Sequence, residues 1–182
     1  MPNQILDPTG GAGSRVAAAE LAPRRASLRG VTVGLLANTK RNAAPILAEL
    51  GELLRGEHGV AGVVTRTKKS IAHQVPEETL KELVRECDVV VTGVGDCGSC
   101  SASAVADGVA FENAGVPAAV ICSDAFTVTA NAMADRQGAR GYRYVTTPHP
   151  IAALNDDGVR ERARQVLPGV VALLTSADLD AS

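Results

Sequence analysis

Val89-Val90-Val91-Thr92 runs into Gly93-Val94-Gly95-Asp96-Cys97-Gly98-Ser99-Cys100-Ser101, an apolar strand that stops in a turn holding three glycines and two cysteines. A short valine-rich run favours a buried strand, and glycines admit backbone angles that other residues avoid. Beyond the turn, Val105 and Val109 recur at helical spacing among small alanines, so a helix begins between Ser99 and Ala102. Cys97 and Cys100 then fall in the turn and the first helical turn. Unpaired N–H groups and the helix dipole at that place stabilise a thiolate.

The same alternation recurs along the chain. Val31 to Ala37 reads as a strand ending in the polar loop Asn38-Thr39-Lys40-Arg41-Asn42, followed by a helix with Pro45 near its start and Ile46, Leu47, Leu50, Leu53 and Leu54 on one face. Gly59 to Thr65 is a second strand, and a basic loop with Lys68, Lys69, Ser70 and His73 follows it, placed to close over a site at the sheet edge. Pro76 opens a helix whose buried side includes Leu80, Leu83, Val84 and Cys87, which makes Cys87 a core thiol. Ala118 to Cys122 is a fourth strand, Phe126 to Asp135 a helix, and Tyr142 to Thr146 a fifth strand ending at Pro148-His149-Pro150. The last helix, about Asp157 to Ser176, is expected to break or kink at Pro168-Gly169.

Five strands alternating with helices predict one doubly wound, mostly parallel α/β domain over residues 30–182, with flavodoxin-like strand order 2-1-3-4-5 and right-handed crossovers. Residues 1–29, rich in Gly, Ala, Pro and Arg, read as an N-terminal arm for the surface or for a second subunit, with a short strand at Ile5-Leu6 and a short helix over Val16 to Leu21 as its local options. With two Phe, two Tyr and no Trp, the core is built from Ala, Val, Leu and Ile. In that strand order the first and third strands are neighbours, which sets the Asn38 to Asn42 loop beside the cysteine turn at the edge where ligands bind.

Two thiols at this spacing form a disulfide or act as attacking and resolving groups, and the same spacing serves metals. Cys97, farther out in the turn, is the nucleophile candidate and Cys100 the resolving one. Asp96 opposes a thiolate on Cys97 unless its carboxylate faces away or handles a proton. Lys40 favours a thiolate or holds an anionic substrate, and His149 exchanges protons, since histidine ordinarily titrates near neutrality. Asn38, Gly98, Ser99, Ser101 and Asp124 are candidate substrate-binding residues, with Gly98 and Ser99 N–H groups suited to a carboxylate or oxyanion. The metal alternative takes Cys97, Cys100, Cys122 and His149 as a zinc set, against a plain core role for Cys122. Otherwise no cofactor is expected.

Other classes fit less well. Gly93-x-Gly95-x-x-Gly98 has dinucleotide-fingerprint spacing but follows the third strand, and Asp124 lies late for ribose binding; a flavin or other phosphate-bearing ligand at the helix N-terminus fits somewhat better. Ser99, Ser101 and Ser103 lack a G-x-S-x-G elbow. A net charge of −2 and scarce aromatics give a nucleic-acid role no support. No apolar run approaches membrane-spanning length, and neither a signal core nor a disulfide framework is evident, so the cytoplasm is the expected compartment.

Gly95-Asp96-Cys97-Gly98-Ser99-Cys100 resembles the signature of the UGSC family of selenoproteins and their cysteine-containing relatives, with Cys97 at the selenocysteine position and Cys100 at the signature cysteine. Leu6-Asp7-Pro8-Thr9-Gly10, Asn38 to Ala43, Asp107, Glu112 to Pro117, Asp124-Ala125-Phe126 and Pro148-His149-Pro150 share the likeness, so it covers most of the chain. The family is distantly similar to the selenoprotein B component of glycine, sarcosine and betaine reductases, in which a selenol takes part in reductive bond cleavage. That relation implies redox or nucleophilic thiol chemistry on a small molecule. Arg41 stands where the pattern expects proline, and cysteine in place of selenocysteine raises the pKa of the attacking group and makes it a poorer leaving group. The leading expectation is thus a thiol enzyme of reductase type, served by a thiol reductant protein. The alternatives are non-redox covalent catalysis of addition, elimination or hydrolysis, and a zinc-binding or non-catalytic subunit that uses the arm as interface, in a homo-oligomer or a larger complex.

Overall fold

The computed structural model describes residues 21–175. Its elements are β1 (Thr32–Ala37), α1 (Ala43–His58), β2 (Gly62–Thr67), α2 (Glu77–Glu86), β3 (Val89–Gly95), α3 (Gly98–Asn113), β4 (Ala118–Ser123), α4 (Thr127–Arg136), β5 (Val145–Thr147) and α5 (Asp156–Leu174), with a 3₁₀ turn at Asp124–Phe126. All strand pairs are parallel, and the sheet order is β2-β1-β3-β4-β5. This is the flavodoxin-like order that the alternation of elements predicts.

Alternate side chains of the strands serve opposite faces. Val33, Leu35, Val89, Val91, Ala119 and Ile121 pack against α1 and α5. On the other face Leu36, Val90 and Ala118 meet α2 and Phe111, while Val120 and Cys122 meet α3 and α4. β3 is buried along its whole length, as a central parallel strand covered on both faces must be.

Two expectations change. α5 runs unbroken through Pro168, because the apolar stripe of Val159, Ala163, Val166, Leu167, Val170 and Leu174 keeps the helix on the sheet across the missing N–H. The loop after β2 is pinned. Lys68 forms a sealed ion pair with Asp107 of α3, their side chains being 2% and 0% exposed, and also donates to Ser103 Oγ at 2.7 Å and His73 O at 2.8 Å. Asp107 Oδ1 accepts the Val75 N–H at 2.6 Å, so both ends of the loop are tied to α3. Such anchors hold the segment against the helix where a closing lid would have to swing.

The short strand and helix expected at Ile5-Leu6 and from Val16, and the Leu6 to Gly10 motif, lie outside the described residues. Where the description begins, Glu112 organises the chain: its carboxylate accepts N–H groups of Ala22 at 2.7 Å and Ala118 at 2.9 Å and pairs with Arg24 at 2.9 Å. The Glu112 to Pro117 motif is thus a structural brace. No helix among the described residues is long and apolar enough to cross a membrane.

Candidate functional site

β1 and β3 pair with Ala37 opposite Gly93, which brings the two following loops together. Asn38 fastens them. Its N–H donates to Gly93 O at 3.0 Å, its Nδ2 to Val94 O at 3.0 Å, and its Oδ1 accepts the Lys40 N–H at 3.0 Å. Both polar atoms of this buried side chain make internal bonds, so Asn38 shapes the Lys40 loop. Lys40 is half-buried, and among the described residues its ammonium forms no ion pair.

β3 continues to Gly95, taking in the first residues of the stretch read as a turn, with its register to β4 shifted between Gly93 and Gly95. None of Gly93, Gly95 and Gly98 has a positive φ. The need for glycine here is spatial: a Cβ on Gly95 would lie 2.6 Å from Ser101 Oγ and 2.7 Å from both Cys122 Sγ and Ser101 Cα. That crowding buries Ser101 and Cys122 beneath the turn, out of reach of a ligand. Burial pushes the Cys122 thiol up to about 12 and the Cys87 thiol up to about 11, so both are inert core thiols at neutral pH.

Cys97 caps α3. Its Sγ accepts the Cys100 N–H at 3.3 Å, and the Cys97 carbonyl accepts the Ser101 N–H at 2.9 Å. The two sulfurs are joined as a disulfide, with Cα atoms 5.3 Å apart. Cys97 is half-buried and Cys100 fully buried, and Cys100 Sγ accepts the Asp96 N–H at 3.2 Å. Ser99 is exposed, its hydroxyl 3.7 Å from Cys97 Sγ, and Gly98 is half-buried, with Thr129 Oγ1 of α4 3.8 Å from where a Cβ would stand.

Asp96 turns away from Cys97. Its carboxylate, 2% exposed, accepts from His149 Nδ1 at 2.9 Å, the Ile151 N–H at 3.0 Å and the Ala152 N–H at 2.9 Å. Burial alone would raise this carboxyl, but the two backbone donors, His149 and Ser123 together hold it below the usual range. Asn42, the one non-glycine with positive φ among the described residues, donates from Nδ2 to the Ile151 and Leu154 carbonyls, both at 2.9 Å. Asp96 and Asn42 therefore grip the same 151–154 turn by its N–H and C=O groups. His149 is further held by its own N–H to Asp124 Oδ1 at 3.1 Å and by a T-shaped contact with Phe126 at 5.4 Å.

Of the residues singled out from the sequence, the Lys40 loop adjoins the cysteine turn and Asp124 holds His149, whereas the pairing of Asp96 with His149 and the Asn42 clamp have no place in the sequence reading. An acidic residue at the end of a central strand facing a Pro-His-Pro corner is the only signal that points to the former. The zinc set is not assembled. Among the described residues no three His, Cys, Asp or Glu side chains converge to hold a metal: Cys122 is shut in the core, and Cys97 and Cys100 are bonded to each other.

No curated protein matches the chain in sequence. Solved structures that align with it include a diflavin flavoprotein A3 from Nostoc sp. and the flavodoxin-like domain of a protein from Synechococcus sp.. Each is 14% identical, covers 75% of this chain and 94% of the other, and superposes with a TM-score of 0.36. A model of the UGSC family matches residues 4–176, nearly the whole chain, and the chain belongs to that family.

Proposed function

We propose that the protein is a thiol-dependent enzyme of reductase type, acting on a small, anionic molecule through Cys97 with Cys100 as resolving thiol. The observation that carries this reading is the pairing of a half-buried and a fully buried sulfur at the N-terminus of α3, already within bonding distance of each other. The Cys100 N–H aimed at Cys97 Sγ and the positive end of the helix stabilise negative charge on that sulfur.

In the reduced protein the Cys97 thiolate attacks an electrophilic sulfur or carbon of the substrate, and the expelled group leaves with the bonding pair and takes a proton from His149. The Cys100 thiolate then attacks Cys97 Sγ in the adduct. The new S–S bond holds the two electrons' worth of oxidation, and the substrate fragment departs with the old bonding pair and is protonated as reduced product. A dithiol reductant protein resets the pair by exchange. Lys40 and the first N–H groups of α3, at Gly98 and Ser99, receive the anionic part of the substrate, Ser99 Oγ adds a hydrogen bond, and Asp124 orients His149.

Reducing conditions suit two free buried thiols beside a dithiol pair, so the cytoplasm is the proposed compartment. We assign residues 30–182 to the catalytic domain and residues 1–29 to an arm that serves a second copy or a partner subunit.

The test is thiol counting before and after mild oxidation, combined with turnover of a small disulfide such as glutathione disulfide by wild type, C97S and C100S. The reading expects a reversible loss of two thiols, an inactive C97S and a C100S that accumulates a mixed disulfide on Cys97. A fully active C100S would remove Cys100 as the resolving thiol and leave the external reductant to resolve the Cys97 adduct, and a Cys97 that forms no mixed disulfide with the probe would leave non-redox covalent catalysis in its place. Stoichiometric zinc, lost on changing Cys97, would replace both with a metal-binding role.

A further inference from the structure

We propose that Asp96 is a positioning residue that holds His149 as its Nδ1–H tautomer, leaving Nε2 as the nitrogen that exchanges protons at the cysteine turn. An ionised carboxylate only accepts hydrogen bonds, so the ring nitrogen 2.9 Å from Asp96 Oδ1 has to carry the hydrogen. Ser123 Oγ, which could donate to that nitrogen instead, stands farther off at 3.4 Å.

The carboxylate cannot follow the ring. Its oxygens are fixed by the Ile151 and Ala152 N–H groups, and the turn bearing those groups is fixed from the other side by Asn42. The His149 main chain is fixed by Asp124 and one side of its ring by Phe126. With the His149 side chain still 39% exposed, the tautomer is set from within while a face of the ring stays open. Asp96 is bonded in sequence to Cys97, so one short segment carries both the nucleophile and the group that orients the histidine.

The destination of the proton rests on the thiol reading above; the tautomer does not. With glutathione disulfide as the probe, the Cys97 proton passes to Nε2 and the thiolate attacks one sulfur. The disulfide of the probe breaks, a Cys97–glutathione bond forms, and the departing glutathione thiolate recovers the proton from Nε2.

The experiment is ¹⁵N NMR of the histidine rings in the full chain at a pH where the ring is neutral. The chain has three histidines, and H149N assigns the signal of interest by deletion. The expected wild-type spectrum shows an N–H at Nδ1 and a bare Nε2, and D96A, which removes the acceptor and leaves Ser123 Oγ to donate to Nδ1, shifts the majority to Nε2–H. The expected rate of Cys97 modification by glutathione disulfide falls about 10²-fold in D96A and equally in H149N, as loss of a positioned acid–base group would give. A bare Nδ1 in the wild type overturns the proposal with no variant needed. An unchanged tautomer or an unchanged rate in folded D96A overturns it too. A wild-type rate that C97S does not alter removes the thiol reading instead, and the ring spectrum still decides the tautomer.

Discussion

Two aspartates flank the start and middle of α3, both buried, each facing one cationic or potentially cationic side chain, and they do opposite things. Asp107 is shut in with Lys68 and holds a loop. Asp96 is buried to the same degree, but its partner His149 reaches solvent. Their ionisation separates them as well. Burial raises the Asp107 carboxyl in spite of Lys68, while backbone donors and His149 outweigh burial and lower that of Asp96. A sealed pair fixes structure; a half-open one can orient a group that works outside.

The sharpest way to break this contrast is Asp107→Ala. It strands the Lys68 ammonium at 2% exposure, and an uncompensated buried charge costs about 3–5 kcal/mol. Urea denaturation should show that loss, and the double change Lys68→Met with Asp107→Leu should recover most of it. A drop below about 1 kcal/mol would put Lys68 in the class of surface pairs and undo the comparison.

Asp96→Asn ranks next. It keeps one acceptor oxygen and the side-chain volume, so one or two hydrogen bonds to charge are lost, about 1–3 kcal/mol in the same measurement. A cost matching that of Asp107→Ala would mean that the His149 turn is as much a structural core as the Lys68 loop.

Acid titration separates the pair by sign. A lowered folded pKa contributes stability that is full above the unfolded carboxyl value, about 4, and is lost as pH falls through the folded value. The stability gap between wild type and D96N should therefore be steady from neutral pH down to about 5 and close below about 4. For Asp107 the folded pKa is raised, so wild type should lose stability relative to D107N as pH rises from about 4 through that folded value. Two curves of the same slope would remove the distinction.

Local pattern made the scaffold legible. Valine runs, proline at helix starts and apolar spacing place every element of the sheet order within a few residues, and the order alone brings Lys40's loop to the cysteine turn. What stayed hidden depends on pairs distant in the chain. Asp96 and His149 are 53 residues apart, Lys68 and Asp107 are 39 apart, and Asn42 meets the Ile151 turn across 109. Sequence adjacency makes Asp96 look like an opponent of a Cys97 thiolate, yet a strand alternates its side chains, and the extended end of β3 sends the carboxylate the other way. The glycines mislead for a related reason: their spacing suggests a flexible turn, whereas Gly95 is required by Ser101 and Cys122 arriving from α3 and β4.

Ser123→Ala should have the smallest effect and is the finest probe of which neighbour governs His149. Ser123 Oγ is fully buried at the end of β4, 3.4 Å from Nδ1, against 2.9 Å for Asp96 Oδ1. Hydrogen bonding weakens steeply with distance and misalignment, so the Nδ1 hydrogen belongs to Asp96, and the hydroxyl serves mainly as a weak extra donor to that carboxylate. Removing it should cost at most about 1 kcal/mol in urea denaturation, leave the ring tautomer unchanged, and close the D96N gap at a slightly higher pH. A tautomer change in S123A with Asp96 intact would transfer the orienting role to the serine, and the half-open aspartate would then be only a clamp for the Ile151 turn, no different in kind from the sealed one.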